Sequence, residues 1–238
     1  MAGRPRTVSD IEILAGTARA VSRVGPARLT LAEVAREVGL SPATLVQRFG
    51  SKRALLLALT AHDASRVGKE FEDARAAGEP PLDTLMKVLC AMTRHMDTPE
   101  ALSNSLAFLQ MDLNEPDFHQ YAIEQARSLR GEVEVLLDEA VDRGQLMRCD
   151  TARLARAVQV TFNGALVTWA IYREGTVAEW LTDDLRTLLA PLRPNASAGR
   201  SQGCREGGTA IDPSTADAGH TDGPPNAPVR PPPRPRRS

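Results

Sequence analysis

The run from Thr30 to Phe49, TLAEVAREVGLSPATLVQRF, confines this chain locally to two short helices joined by a tight turn. Thr30 and Glu33 have the spacing of a capping box. Leu31, Val34, Ala35 and Val38 then recur at i, i+3, i+4 and i+7, one apolar face of a helix. Gly39 stands where the chain must take a positive φ to leave that helix. Ser41 offers a second N-cap, and Pro42 fills the first helical position, where a missing N–H costs nothing. Such a pair is a helix-turn-helix, a form that lays its second helix in the major groove of DNA.

Steps of about 100° per residue put Pro42, Leu45 and Phe49 on the side of the second helix that rests on the first. Ala43, Thr44, Gln47 and Arg48 point away from it. The Arg48 guanidinium suits guanine or phosphate bidentately, and Gln47 suits adenine. The competing reading is an ordinary helical hairpin with a solvated polar face.

The flanks favour the DNA reader. Ser9 and Glu12 form a capping box for a helix over about residues 8–24, with Ile11, Leu14, Ala15, Ala18 and Val21 at helical spacing. That third helix is what a two-helix reader needs to bury its remaining apolar face. Ser51 then caps a fourth helix whose first turn holds Lys52 and Arg53, where positive charge opposes the helix dipole. A phosphate partner would account for both. Residues 1–53 carry nine Lys or Arg against four Asp or Glu, while residues 54–193 carry fourteen against twenty-two. The net charge of −1 thus hides a basic head on an acidic body.

With these motifs in place, LTLAEVAREVGLSPATLVQRFGSKRALLLAL resembles the DNA-binding domain of the TetR/AcrR family of transcriptional regulators, over roughly residues 7–62. The resemblance implies that Thr30 and Lys52 contact phosphates and that Ala43, Thr44, Gln47 and Arg48 contact bases or phosphates, with Ser41 in the same turn. Val46 departs from the family pattern, which has an aromatic, often Tyr, there. A phenol at that position reaches the DNA backbone, so Val46 implies weaker anchoring or an apolar contact with a thymine methyl.

The body, residues 63–193, reads as helical throughout, giving an all-α fold: a three-helix head, a larger helical ligand-binding and dimerisation domain, and a tail. Helices are expected at about 52–77, 81–97, 99–112, 116–143, 150–173 and 176–191, separated by Gly or Pro. The stretch from Thr151 to Tyr172 is apolar around much of its circumference, the pattern of a helix buried on more than one side. Together with the stripe of the last helix it resembles the family's dimerisation pair, which implies Val158, Leu166, Trp180, Leu185 and Leu188 at a two-fold interface; completion of a monomer core is the alternative. Two heads on a two-fold axis would read a palindromic double-stranded operator.

The family's mechanism implies a small-molecule effector entering the body and spoiling the spacing of the heads. Met86, Met92, Phe108, Met111, Phe118, Tyr121, Phe162 and Trp169 are the bulky or soft residues available to a pocket, and plain core packing is the competing role for each. Asp112, Glu115, Asp117 and His119 cluster around Pro116 without metal-ligand spacing; Asn114 and Asp117 read instead as caps for the next helix. No metal or cofactor is expected. His62 and His95 read as isolated helix residues.

Cys90, Cys149 and Cys204 are widely spaced, which argues against a disulfide framework and fits a reducing cytoplasm. No run is long and apolar enough for a membrane span. Nucleophile-elbow, phosphate-loop and dinucleotide motifs are missing, so an enzyme is not expected. A small helical cytosolic enzyme or ligand-binding protein with a merely structural hairpin is the second hypothesis. Residues 194–238, rich in Pro, Gly and Arg, are expected to be disordered.

Overall fold

The structure, a computed structural model, describes residues 8–194; the tail and Cys204 lie outside them. These residues form α1 (Asp10–Arg28), α2 (Leu31–Val38), α3 (Pro42–Phe49), α4 (Lys52–Arg75), α5 (Pro81–Met92), α6 (Pro99–Asn114), α7 (Pro116–Asp142), α8 (Thr151–Tyr172) and α9 (Val177–Leu189), closed by a single 3₁₀ turn. No strand occurs among them, and the fold is all-α as the sequence implies.

The helix starts follow local capping chemistry. The hydroxyls of Ser9, Thr30, Ser41, Ser51, Thr98 and Thr176 each accept from a backbone N–H in the first turn. At Ser9 and Thr176 the box is closed by Glu12 and Glu179. At Thr30 only half of the expected box forms: Thr30 accepts from Glu33 N, while Glu33 Oε2 is enclosed without a partner. Gly39 takes φ 70°, ψ 30°, the left-handed cap that separates α2 from α3. Pro42 lies at N1 of α3 but stays exposed instead of packing on α2, while Leu45 is fully buried and Phe49 half-buried against the head core.

Two expectations at helix ends are corrected. α5 stops at Met92, short of 97, where the Thr93 hydroxyl turns back to donate to Cys90 O at 2.8 Å. α7 has Glu115 as N-cap with no side-chain cap. Asn114 donates to Gln110 O within α6, and Asp117 is drawn to Arg53, so neither caps α7.

Two apolar cores lie along the molecule. Ile13, Leu14, Ala20, Val34, Leu45, Leu55 and Leu59 build the head core, and Phe118 of α7 is buried within it. Leu85, Leu89, Val133, Leu136, Val158, Phe162, Leu181 and Leu185 belong to the body core. α4 supplies both, with Leu55, Leu56 and Leu59 to the first, then Val67 and Phe71 to the second.

The head is fastened to the body at two places. α1 breaks at Gly25 (φ 77°, ψ 159°), and Pro26 follows. Proline has no N–H for Ser22 O, its partner four residues back; Asn104 Nδ2 on α6 donates to that carbonyl instead, at 2.8 Å. Arg53, in the first turn of α4, pairs with Glu115 at 3.1 Å and Asp117 at 2.9 Å and lies over the Phe118 ring. Within the body, the far end of α4 is tied to α7 by Arg75, which pairs with Glu132 at 2.8 Å.

Candidate nucleic-acid interface

α3 stands on the head with Leu45 fully buried and Phe49 half-buried toward the core. The opposite face presents Ala43, Val46 and Gln47 to solvent, with Val46 48 % exposed. Gln47 has no hydrogen bond to a described residue, so its amide is available to pair with a base edge.

The other candidates are partly engaged. Arg48, which the sequence suits to guanine or phosphate, reaches across to α1: its guanidinium donates to Val8 O and pairs with Asp10. In this arrangement Arg48 braces α3 against α1, and its side chain is 29 % exposed. Thr44 shares a 2.8 Å hydrogen bond between its hydroxyl and that of Ser41, which also caps Thr44 N. A hydroxyl carries one donor and two acceptor sites, so this pair still has hydrogen-bonding capacity facing outward.

Thr30, Ser41 and Lys52 lie at the first turns of α2, α3 and α4 respectively, where backbone N–H groups add partial positive charge. Lys52 Nζ donates to Ala27 O at 3.3 Å, which uses one of its three donors. Arg53 differs from its neighbour. Its pairing with Glu115 and Asp117 accounts for the basic residue at a helix N-terminus without any phosphate, and those carboxylates raise its pKa, Asp117 foremost.

The residues nominated for a pocket do not line one cavity. A cleft of about 580 Å³ opens between α1, α4 and α5, and of the eight only Met92 borders it. Phe108, Met111 and Phe118 pack into the head core, with Phe108 and Phe118 edge to face at 6.4 Å. Phe162 and Trp169 are buried in the body core, Met86 packs against it, and Tyr121 is half-buried. Trp169 Nε1 is spent on Gly175 O. His62 and His95, read as isolated, both border the cleft, and burial lowers the pKa of His62.

The residues nominated for a dimer interface point inward for the most part. Val158, Leu166 and Leu185 are buried in the protomer's own core, and Leu188 packs against it. Trp180 stacks on Tyr172 at 5.5 Å and donates to Glu174 O. The open face of α8 carries Val160, Gly164, Val167 and Ile171, spaced i, i+4, i+7 and i+11 along one stripe. Val160 is 64 % and Ile171 73 % exposed, and nothing stands within 4 Å of a Cβ placed on Gly164.

Among the described residues no group of three His, Cys, Asp or Glu is arranged for a metal ion, and no helix is long and apolar enough to cross a membrane. Cys90 and Cys149 are free thiols.

Comparison with known proteins locates this arrangement. Residues 13–59 match the family of bacterial regulatory proteins of the tetR type, and residues 81–194 match the C-terminal domain of BetI-type transcriptional repressors. No curated protein sequence matches the chain. Among solved structures, a TetR transcription regulator from Haloarcula marismortui superposes with a TM-score of 0.62 at 19 % identity, covering 78 % of this chain and 98 % of its own. The reduced form of E. coli NemR gives 0.63 at 15 % identity, covering 79 % and 98 %. SmeT, the repressor of the Stenotrophomonas maltophilia efflux pump SmeDEF, gives 0.57 at 20 % identity, covering 80 % and 93 %. At such identities these likenesses speak for the fold, whereas the two family matches cover both the head and the body, and on them the chain belongs to the TetR family of DNA-binding transcriptional regulators.

Proposed function

We propose that the protein is a cytoplasmic homodimeric repressor that grips a palindromic operator and lets go when a small molecule enters its helical body. The supporting observation is α3, which offers Ala43, Val46 and Gln47 outward from a basic three-helix head. With Arg48 braced against Asp10, base reading falls chiefly to Gln47, which suits adenine, and to the methyls of Ala43 and Val46, which suit thymine. Thr30, Ser41, Thr44 and Lys52 anchor the phosphates on either side.

The second subunit is assigned to the exposed stripe of α8. Val160, Val167 and Ile171 form an apolar face beside α9, and Gly164 lets a partner helix approach closely. A two-fold partner there doubles the short reading helix into a palindrome reader. Effector release rests on the family's mode of action and on the cleft beside α4, the helix that follows α3 directly.

A gel-shift titration with DNA from beside the gene tests the DNA reading. Saturable binding to one segment, weakened on that segment alone by Gln47→Ala and on all DNA by Lys52→Ala, supports it. Sequence-blind binding that vanishes with salt and ignores Gln47→Ala overturns it. Sedimentation of Val160→Glu and Ile171→Glu variants tests the dimer: monomers support the α8 face, and unaltered dimers reject it.

A further inference from the structure

Four leucines of α6, Leu102, Leu106, Leu109 and Leu113, recur at i, i+4, i+7 and i+11, the spacing of a single helix stripe. Leu102 ends in the body core. The other three stay in the open, at 38 %, 44 % and 61 % exposed in that order. Contact with the head falls to other residues of the helix: Phe108 and Met111 pack against its core, and Asn104 donates to Ser22 O.

Charge is absent from the open side of α6 beside this stripe. Ser103, Ala107, Gln110 and Asn114 are the exposed residues there, and no residue from 101 to 111 is ionisable. The exposed face of a helix normally carries charged side chains. α7 follows that rule with Glu124, Arg127, Arg130 and Asp138, and α9 with Asp183, Asp184 and Arg186. An uncharged leucine stripe in water has the make-up of the seam between two paired helices.

Three observations point to a second copy of this chain as the cover. A two-fold axis sets a face against itself, which suits a face with no charge to repel its own image. The chain's own residues 195–238 hold Ile211 and Val229 as their only large aliphatic side chains, too few to cover three leucines. A stable interface engages about 20–30 residues a side. The exposed stripe of α8 supplies only a small part of that, and α6 packs directly on α8.

We propose that the Leu106–Leu109–Leu113 stripe of α6 seats the same stripe of a second copy, extending the two-fold interface beyond α8. This rests on the homodimer reading above and adds a second helix to it. α6 also holds α1 through Asn104 and places Phe108 and Met111 against the head core. Pairing at α6 therefore fixes the separation of the two reading heads, which the α8 face, in the body, reaches only through other helices.

Sedimentation velocity of the full-length protein tests this with Leu109→Glu and Leu113→Glu on α6, beside Val160→Glu on α8. Each α6 variant is expected to weaken self-association by at least about a hundredfold, because the pair would bury two like charges. Circular dichroism melts check that the variants fold. If Leu109→Glu does not, Leu113→Glu, at the most exposed of the three leucines, carries the test. Dimers as stable as wild type in both α6 variants overturn the proposal and give the stripe to another occupant, an unlike protein or the chain's own tail. A wild-type chain that stays monomeric at every concentration overturns it together with the homodimer reading. The two helices are separable: dimers lost in the α6 variants but kept in Val160→Glu retain the stripe and remove the α8 face. Dimers lost in Val160→Glu alone do the reverse.

Discussion

Asn104 Nδ2 donates to Ser22 O across 2.8 Å, and the same side chain puts its Oδ1 2.6 Å from the position a Cβ on Gly25 would occupy. One amide from the body thus replaces the N–H that Pro26 lacks and fits against a residue that must be glycine. Asn104→Leu takes its donor from the half-buried Ser22 O and is expected to cost about 1–3 kcal/mol. Gly25→Ala adds the strain of a positive φ to a close contact and is expected to cost at least as much. Urea melts of both variants check this; a loss confined to Gly25→Ala would place the effect in the backbone alone.

Gly16 of α1 is similarly constrained, here by α2. A Cβ on Gly16 would fall 2.2 Å from Val38 Cγ1. Gly16→Ala is expected to destabilise the head by about 1–3 kcal/mol through overpacking. Val38→Ala makes room, so the double variant should recover much of that loss in a double-mutant cycle read by thermal melting.

The adjacent bases Lys52 and Arg53 are expected to separate in salt titrations of DNA binding. Lys52→Ala should reduce the slope of log affinity against log salt by about one. Arg53→Ala, whose charge is spent on Glu115 and Asp117, should leave that slope nearly unchanged. Fluorescence anisotropy with a labelled duplex at several salt concentrations measures both slopes.

Stability should depend on pH in a direction opposite to that of an ordinary paired acid. Asp112, with its pKa raised by burial from 3.8 to about 7, binds a proton in the folded chain that the unfolded chain has already released. Its contribution is therefore full below about pH 4 and is lost as pH rises toward 7, on the order of 2–4 kcal/mol. Asp63, likewise raised by burial to about 6, adds to the same slope. Glu37, held low by hydrogen bonds from Arg19 and then Arg23, works the other way and loses its contribution as pH falls. Asp112→Asn should flatten the decline between about pH 4 and pH 7, as followed by urea midpoints across pH; an unaltered profile would remove Asp112 as its source.

Much of the head was legible in the sequence because its signals are local. Ser41 caps the residue three places on, and Gly39 turns the chain where it stands. Pro26 also announces that Ser22 O lacks its usual donor, but the donor sits 82 residues away on another helix. Arg53 and its acids are 62 and 64 residues apart, and Arg48 and Asp10 meet only after α3 docks on α1. Periodicity failed differently in α8. Its circumference is apolar nearly all round, so spacing alone could not tell that Val158 and Leu166 turn inward while Val160 and Ile171 stay outside.

α4 runs unbroken for 24 residues with one end in each core. A rod of that length measures about 36 Å. Tipped by about 5° about its body end, it carries the far end sideways by about 3 Å, close to the ~3.4 Å rise of one base pair. Mechanically α4 is a lever with the reading helix on its long arm. A disturbance at its body end smaller than a water molecule is then magnified at α3.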